Sequence, residues 1–220
     1  MDTERLKKIG LFKDMDSEEI SRCVEALNGR QLTFCRGEYV MNAGDATADM
    51  GIVLSGSVTV ESNDIWGNRT ILSHVGENGY FAETYACLKD AVMPVDVAAN
   101  VDCEILLLTV GHLDRFRQEN WQPIFIANLL SVSMGKNLAL SGRIFHTAPR
   151  TIRGKLLSYL SSVSLSSRSR EFDIPFDRQQ LADYLNVDRT ALSKELGKMR
   201  DEGLVAFRKN RFVLYTQEDR

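Results

Sequence analysis

Six side chains near the C-terminus have the types and spacing to hold a polyanion and touch the edges of bases. Arg189, Thr190, Ser193 and Lys194 fall at i, i+1, i+4 and i+5, which gathers them on one side of a helix. Arg208 and Lys209 follow as a basic pair. Guanidinium and ammonium groups donate to phosphate oxygens, whereas Thr and Ser are short enough to meet a base edge or a thymine methyl. No nucleophile–base pair and no metal-ligand spacing accompanies them, so no catalytic role is expected.

The elements that would position these groups are legible in Asp177–Val205. Asp177 with Gln180 has capping-box spacing, and Leu181, Ala182 and Leu185 give a short inward face. Asn186-Val187 makes a tight break. Asp188 caps a second helix that turns Leu192, Leu196 and Met199 inward and leaves Arg189, Thr190, Ser193 and Lys194 outside. Two short helices with a small residue, Ala182, at the close approach describe a helix-turn-helix whose second helix reads the major groove. Gly203 ends that helix, and Leu204–Tyr215 alternates into a hairpin around Lys209-Asn210, the shape of a wing. The competing use of such a fold is protein contact. The cations Arg189, Lys194, Arg208, Lys209 and Arg211 favour double-stranded DNA, because phosphates need positive charge on one face.

At 220 residues the chain has room for two cores. Its net charge of −3 is uneven: residues 147–220 hold 14 Lys+Arg against 10 Asp+Glu, and residues 1–146 hold 13 against 20. Cys23, Cys35, Cys87 and Cys103 form no CxxC pair, so buried or half-buried free thiols are expected rather than a metal or iron–sulfur site. The opening MDTERLKKIGLF is not a secretory signal, and no unbroken apolar run is long enough to span a bilayer. A cytoplasmic location away from membranes is expected.

Before the basic region, Leu11-Phe12 should pack on the body of the protein. Asp16 with Glu19 opens a helix striped by Ile20, Val24 and Leu27. Short strands are predicted at Gln31–Phe34, Tyr39–Met41, Met50–Leu54, Ser57–Glu61, Thr70–Val75, Val95–Ala99 and Cys103–Leu108. Gly37, Gly44, Gly56, Gly67 and Gly79 mark their turns. That rhythm indicates a sandwich or jelly-roll barrel.

The run RGEYVMNAGD, then LSGSVTV, then GENGYFAE resembles a cyclic-nucleotide-binding barrel. With the helix-turn-helix and wing, residues from about 10 to 217 resemble the Crp/Fnr family of bacterial transcription regulators. The resemblance implies an α+β chain with an N-terminal antiparallel β jelly-roll barrel, a long dimerisation helix and a C-terminal winged helix-turn-helix domain. It also implies a small-molecule effector, a homodimer, a palindromic DNA site and RNA polymerase as a candidate partner.

The cyclic-AMP binders of the family use a cassette Glu for the ribose and an Arg-Ser pair for the phosphate. Glu83 matches the Glu, the cassette glycine is Ala82, and the Arg-Ser pair aligns with Met93-Pro94. Met has neither charge nor donor and Pro lacks its N–H, so a buried phosphate would go unanswered. The oxygen-sensing branch needs an N-terminal cysteine cluster that Cys23 and Cys35 do not make. A haem-binding branch, a gas or redox sensor, could draw on His74, His112, His146, Met93 or a Cys. An apolar Met93-Pro94 floor would suit a small hydrophobic or weakly charged effector, or none. The cofactor is left unnamed. In the recognition helix, Arg189 and Lys194 match the family's first and last base-contacting positions, while its Glu position is Thr190.

The long helix has independent support. After a short helical turn at His112–Gln118, Pro123 suits a first turn and nothing interrupts the pattern to about Phe145. Ile126, Leu130, Ser133, Asn137, Leu140 and Ile144 have the spacing of a two-stranded seam. By the resemblance, Asn137 lies near where this helix faces the ligand. Thr147 is expected to cap the next helix, with Pro149 in its first turn, lined by Ile152, Leu156, Leu157 and Leu160 and followed by a polar loop, SSVSLSSRSR. The expected division is 1–146 for barrel and long helix (about 123–146), and 147–220 for the DNA-binding domain. Phe172–Phe176 is expected to be extended.

Overall fold

The computed structural model describes residues 2–63, 66, 69–88 and 90–215, so Gly67 lies outside the described residues. Helices α1 (Thr3–Leu6) and α2 (Ser17–Ala26) open the chain. The Asp16 carboxylate accepts from Glu19 N at 2.8 Å, and the Glu19 carboxylate accepts from Asp16 N at 2.9 Å. That box satisfies two N-terminal amides and starts α2 where its spacing predicts. Leu11, Phe12, Ile20, Val24 and Leu27 are all buried, as their pattern requires, and Cys23 joins them.

Eight strands follow: β1 (Arg30–Phe34), β2 (Tyr39–Met41), β3 (Asp49–Ser55), β4 (Ser57–Asn63), β5 (Arg69–Gly76), β6 (Tyr80–Phe81), β7 (Asp96–Ala99) and β8 (Cys103–Thr109). They form two antiparallel sheets, β1-β8-β3-β6 and β2-β7-β4-β5, the jelly-roll expected from the strand rhythm. Helix α3 (Glu83–Cys87) lies between β6 and β7. Neither β6 nor α3 is foreseen by pattern, because two residues, or one helical turn, carry no period.

The run of four apolar residues in β8 is explained by burial on both faces. Ile105 and Leu107 join Val53, Phe81, Met93 and Val97 between the sheets, while Leu106 and Leu108 face a second core with Leu11, Phe12 and Ile20. Gly51 of β3 is required by close approach: a Cβ there would collide with the Phe81 ring.

Helix α4 (Trp121–Thr147) has 27 residues, about 40 Å of rise. It begins two residues before Pro123. Trp121, Phe125 and Leu129, spaced by four, seal the second core, and Asn128 Nδ2 donates to Lys13 O at 2.7 Å. Ile126, Leu130, Asn137, Leu140 and Ile144 are exposed and Ser133 is half-buried; Met134 and Leu138 add exposed apolar surface beyond the expected seam. By length and composition alone α4 is apolar enough to cross a membrane, although polar residues break the run.

The chain divides into two compact units, Met1–Met134 and Gly135–Arg220. In the second, α5 (Ile152–Ser167), β9 (Glu171–Asp173), α6 (Arg178–Leu185), α7 (Arg189–Asp201), β10 (Val205–Arg208) and β11 (Arg211–Leu214) surround one core. Three expectations are corrected. Thr147 does not cap α5: it is the last residue of α4, and its hydroxyl donates to Arg143 O at 2.8 Å. Thr151 is the cap, accepting from Gly154 N at 3.0 Å, and Pro149 precedes the helix. The serine-rich stretch is not a loop until Arg168. Its hydroxyls bond back to helical carbonyls, as Ser162 does to Tyr159 O at 2.8 Å, while Leu156, Tyr159 and Leu160 are buried beneath. Ile152 and Leu157 line the same core half-buried. Cys23 and Cys103 are buried, but Cys35 and Cys87 are exposed rather than half-buried, and all four are free.

Candidate nucleic-acid interface

The Asp177 carboxylate accepts from Gln180 N at 2.8 Å and the Gln180 side chain accepts from Asp177 N at 2.9 Å, closing the box that begins α6. Leu181, Ala182 and Leu185 are fully buried against Leu192, Leu196 and Met199 of α7. Asn186 takes φ +52° as the left-handed cap of α6, and Asp188 accepts from Ala191 N at 2.8 Å to start α7. These are the two helices and the turn read in the sequence.

Cations secure that turn from behind. Arg143 of α4 donates to Tyr184 O (3.2 Å) and Asp183 O (3.3 Å), and Lys155 of α5 donates to Leu185 O (3.1 Å) and Asn186 O (3.3 Å). They satisfy carbonyls that a helix end leaves orphaned, with the charge that its C-terminus favours. His146 Nδ1 lies 2.9 Å from the Tyr184 hydroxyl among the rings of Phe145, Tyr159 and Tyr184. Burial holds its imidazole below the usual histidine range.

With the inner face committed to the core, Arg189, Thr190, Ser193 and Lys194 are exposed on the outer face of α7. Gly203, at φ +70°, ends the helical segment and turns the chain into β10. β10 and β11 pair around Lys209-Asn210, and β11 also pairs with β9, so the wing is a three-stranded sheet. Arg208 and Lys209 are exposed on it.

Charge is distributed unevenly over this unit. Arg153 is held by Glu195 at 2.6 Å and by Glu202 at 2.7 Å, hydrogen bonds that raise its pKa; Arg200 pairs with Asp201, and Arg211 with Glu171. Among the described residues no carboxylate pairs with Arg189, Lys194, Arg208 or Lys209. Arg211, counted among the cations of the wing, thus has a carboxylate neighbour at the surface.

An open cleft of ≈ 630 Å³ separates the wing from the starts of α6 and α7, lined by Asp177, Arg178, Gln179, Arg189, Phe207, Lys209 and Asn210. Arg178 is the residue that sequence reading missed. It follows the cap of α6 and reads as a solvated first-turn residue, and only the folded wing brings aromatic rings to it.

The candidate effector residues fall in two places. Glu83 begins α3 and is buried; burial first, then the Glu83 carboxylate, pushes up the Tyr80 hydroxyl. Ala82 before it adopts φ +61°, the left-handed turn suited to a glycine, and packs on the inter-sheet core. Met93 is buried in that core, its N–H donating to Asp45 O at 2.9 Å, while Pro94 is exposed. Asn137 lies in the second unit, where its side chain accepts from the Ser141 hydroxyl at 3.2 Å. Of the histidines, His74 and His112 are exposed and His146 is enclosed as described. The described residues contain no group of three His, Cys, Asp or Glu able to hold a metal.

An antiparallel β-rich barrel, a long helix and a winged helix-turn-helix define the class, and comparisons place the chain within it. The family profile described as the cyclic nucleotide-binding domain matches residues 31–120, and that of the Crp-like helix-turn-helix domain matches residues 154–219. The chain belongs to the Crp/Fnr family of transcription regulators, whose members are regulatory DNA-binding proteins. Among solved structures, it is similar to the catabolite activator protein of Thermus thermophilus, at 20% identity over 94% of this chain and 93% of that one, with a TM-score of 0.50. It is also similar to CLP of Xanthomonas campestris, described as a c-di-GMP-responsive global regulator, at 19% identity over 92% and 100% with a TM-score of 0.53. DNR of Pseudomonas aeruginosa matches at 16% identity over 98% and 94%, TM-score 0.50. At these identities the likeness is one of fold. A search of curated proteins by sequence finds no match.

Proposed function

We propose that this Crp/Fnr-type regulator works as a cytoplasmic homodimer that reads a roughly palindromic site in double-stranded DNA and responds to an effector other than cyclic AMP. The observation that carries the DNA reading is the exposed set Arg189, Thr190, Ser193 and Lys194 on α7, with Arg208 and Lys209 on the wing, without carboxylate partners among the described residues while Arg153, Arg200 and Arg211 are paired. Unpaired cations beside short polar side chains suit phosphates flanking base edges. Arg189 or Lys194 is assigned to a guanine, Thr190 to an A·T pair beside Ser193, and Arg208 and Lys209 to phosphates.

The exposed apolar stripe of α4 supports pairing of two copies, with residues 1–146 as the sensing part and 147–220 as the DNA-binding part. The effector residues are Ala82, Glu83, Met93, Pro94 and Asn137. Met93 stands where the family's phosphate-binding Arg would be, and no Lys or Arg is buried in the barrel among the described residues. A dianionic or monoanionic phosphate desolvated there would lack the cation it needs. An effector of low charge fits better. By biasing how the two long helices pair, it would reorient the recognition helices about the α4–α5 junction, provided it binds the two arrangements unequally. RNA polymerase is the natural further partner of such a regulator.

The test is fluorescence anisotropy of a labelled mixed-sequence duplex at low salt. Wild type should bind, and Arg189→Ala with Lys194→Ala should lose most of that affinity with an unchanged melting profile, since both side chains are exposed. Equal affinity for both proteins would remove α7 from the interface.

A further inference from the structure

The wing that carries Lys209 is held by a residue outside it. Arg178, at the first turn of α6, donates from Nη2 to Lys209 O at 3.0 Å. Its guanidinium carbon stands 4.9 Å from the ring centroid of Phe207 and 5.1 Å from that of Phe212, the cross-strand pair of the hairpin. Nη1 is buried and has no hydrogen-bond partner among the described residues. The hairpin tip needs support: Lys209 sits at φ +54°, a left-handed conformation costly for a side chain with Cβ. Ile174 N also donates to Asn210 O at 2.9 Å, and β9 pairs with β11 as far as Arg211. A guanidinium can sit over aromatic rings and still donate from its nitrogens in a fixed fork, which the point-like ammonium of a lysine does not match.

We infer that Arg178 is a positioning residue for DNA binding: it fixes the tip of the wing so that Lys209 meets a phosphate, and takes no phosphate itself. With Nη1 buried and Nη2 given to a carbonyl, two of its three nitrogens are committed within the domain although the side chain lines the cleft. The inference rests on the DNA-binding reading above.

The test uses the full chain with a labelled mixed-sequence duplex and follows the slope of log affinity against log salt between about 50 and about 200 mM. Lys209→Ala should flatten the slope by about 0.9 for each wing that loses its phosphate. Arg178→Lys preserves the net charge, yet should flatten the slope equally. The double variant should flatten it no further, because both changes remove one contact. Phe207→Leu, which alters no charge, should behave like Arg178→Lys and guards against a peculiarity of that one variant. A wild-type slope in Arg178→Lys, or additive flattening in the double variant, overturns the inference and leaves the DNA reading intact. Failure of the wild type to bind any duplex overturns both.

Discussion

Replacing Leu130 and Ile144 by glutamate should turn the dimer into a monomer. In the single chain, Leu130 is 53% and Ile144 69% exposed, so neither supports its own unit appreciably and both have surface left to bury. Full burial of such a side chain is worth about 1.5–3 kcal/mol, which the exposed fractions scale to about 1–2 kcal/mol each. A two-fold axis counts each twice, giving roughly 4–7 kcal/mol, or about three to five powers of ten in the dissociation constant. Glutamates facing their symmetry mates across the seam add like-charge repulsion and the cost of desolvation. Sedimentation equilibrium at micromolar protein should show a dimer for wild type and a monomer for the double variant, with matching circular dichroism. A variant that sediments as a dimer would place the interface elsewhere.

Cyclic AMP should give no saturable heat in titration calorimetry at physiological concentration; a micromolar dissociation constant would mean that another cation reaches the phosphate beside Met93. The His146 imidazole is held below its unfolded value by burial, so the unfolded chain takes up its proton first as pH falls. Its contribution to stability is therefore full above about pH 6.5 and lost as pH falls through the folded value, and His146→Phe should flatten the dependence of the melting temperature on pH in that window. An identical pH dependence in the variant would show that His146 is not the group responsible. Thr190→Glu should change the preferred base at one symmetric pair of positions in selected sites, each worth roughly 1–3 kcal/mol. An unchanged consensus would place Thr190 outside the readout.

Local chemistry explains which parts were legible beforehand. Asp16, Asp177 and Asp188 cap their helices because capping depends on residues three apart, and inward stripes such as Leu192, Leu196 and Met199 need only helical periodicity. The serine-rich end of α5 reads as loop because serine competes for backbone bonds, yet in place its hydroxyls return to the helix's own carbonyls and Tyr159 packs below. Arg178 was invisible for a different reason. Its role requires Phe207 and Phe212, some thirty residues away, to be paired and placed over it by the wing. Likewise only the two sheets show that the Met93 side chain fills the space between them. The left-handed Ala82 is a turn at a non-glycine residue, which composition alone would not suggest.

The central claim is that a two-fold-symmetric pair of α7 helices reads DNA. Selection of binding sites by the wild-type protein from a random-sequence duplex library tests it most directly. The enriched sequences should form an inverted repeat with half-site centres about one helical turn, ~34–36 Å, apart. Enrichment of an unrepeated site, or no enrichment over the input library, would contradict it.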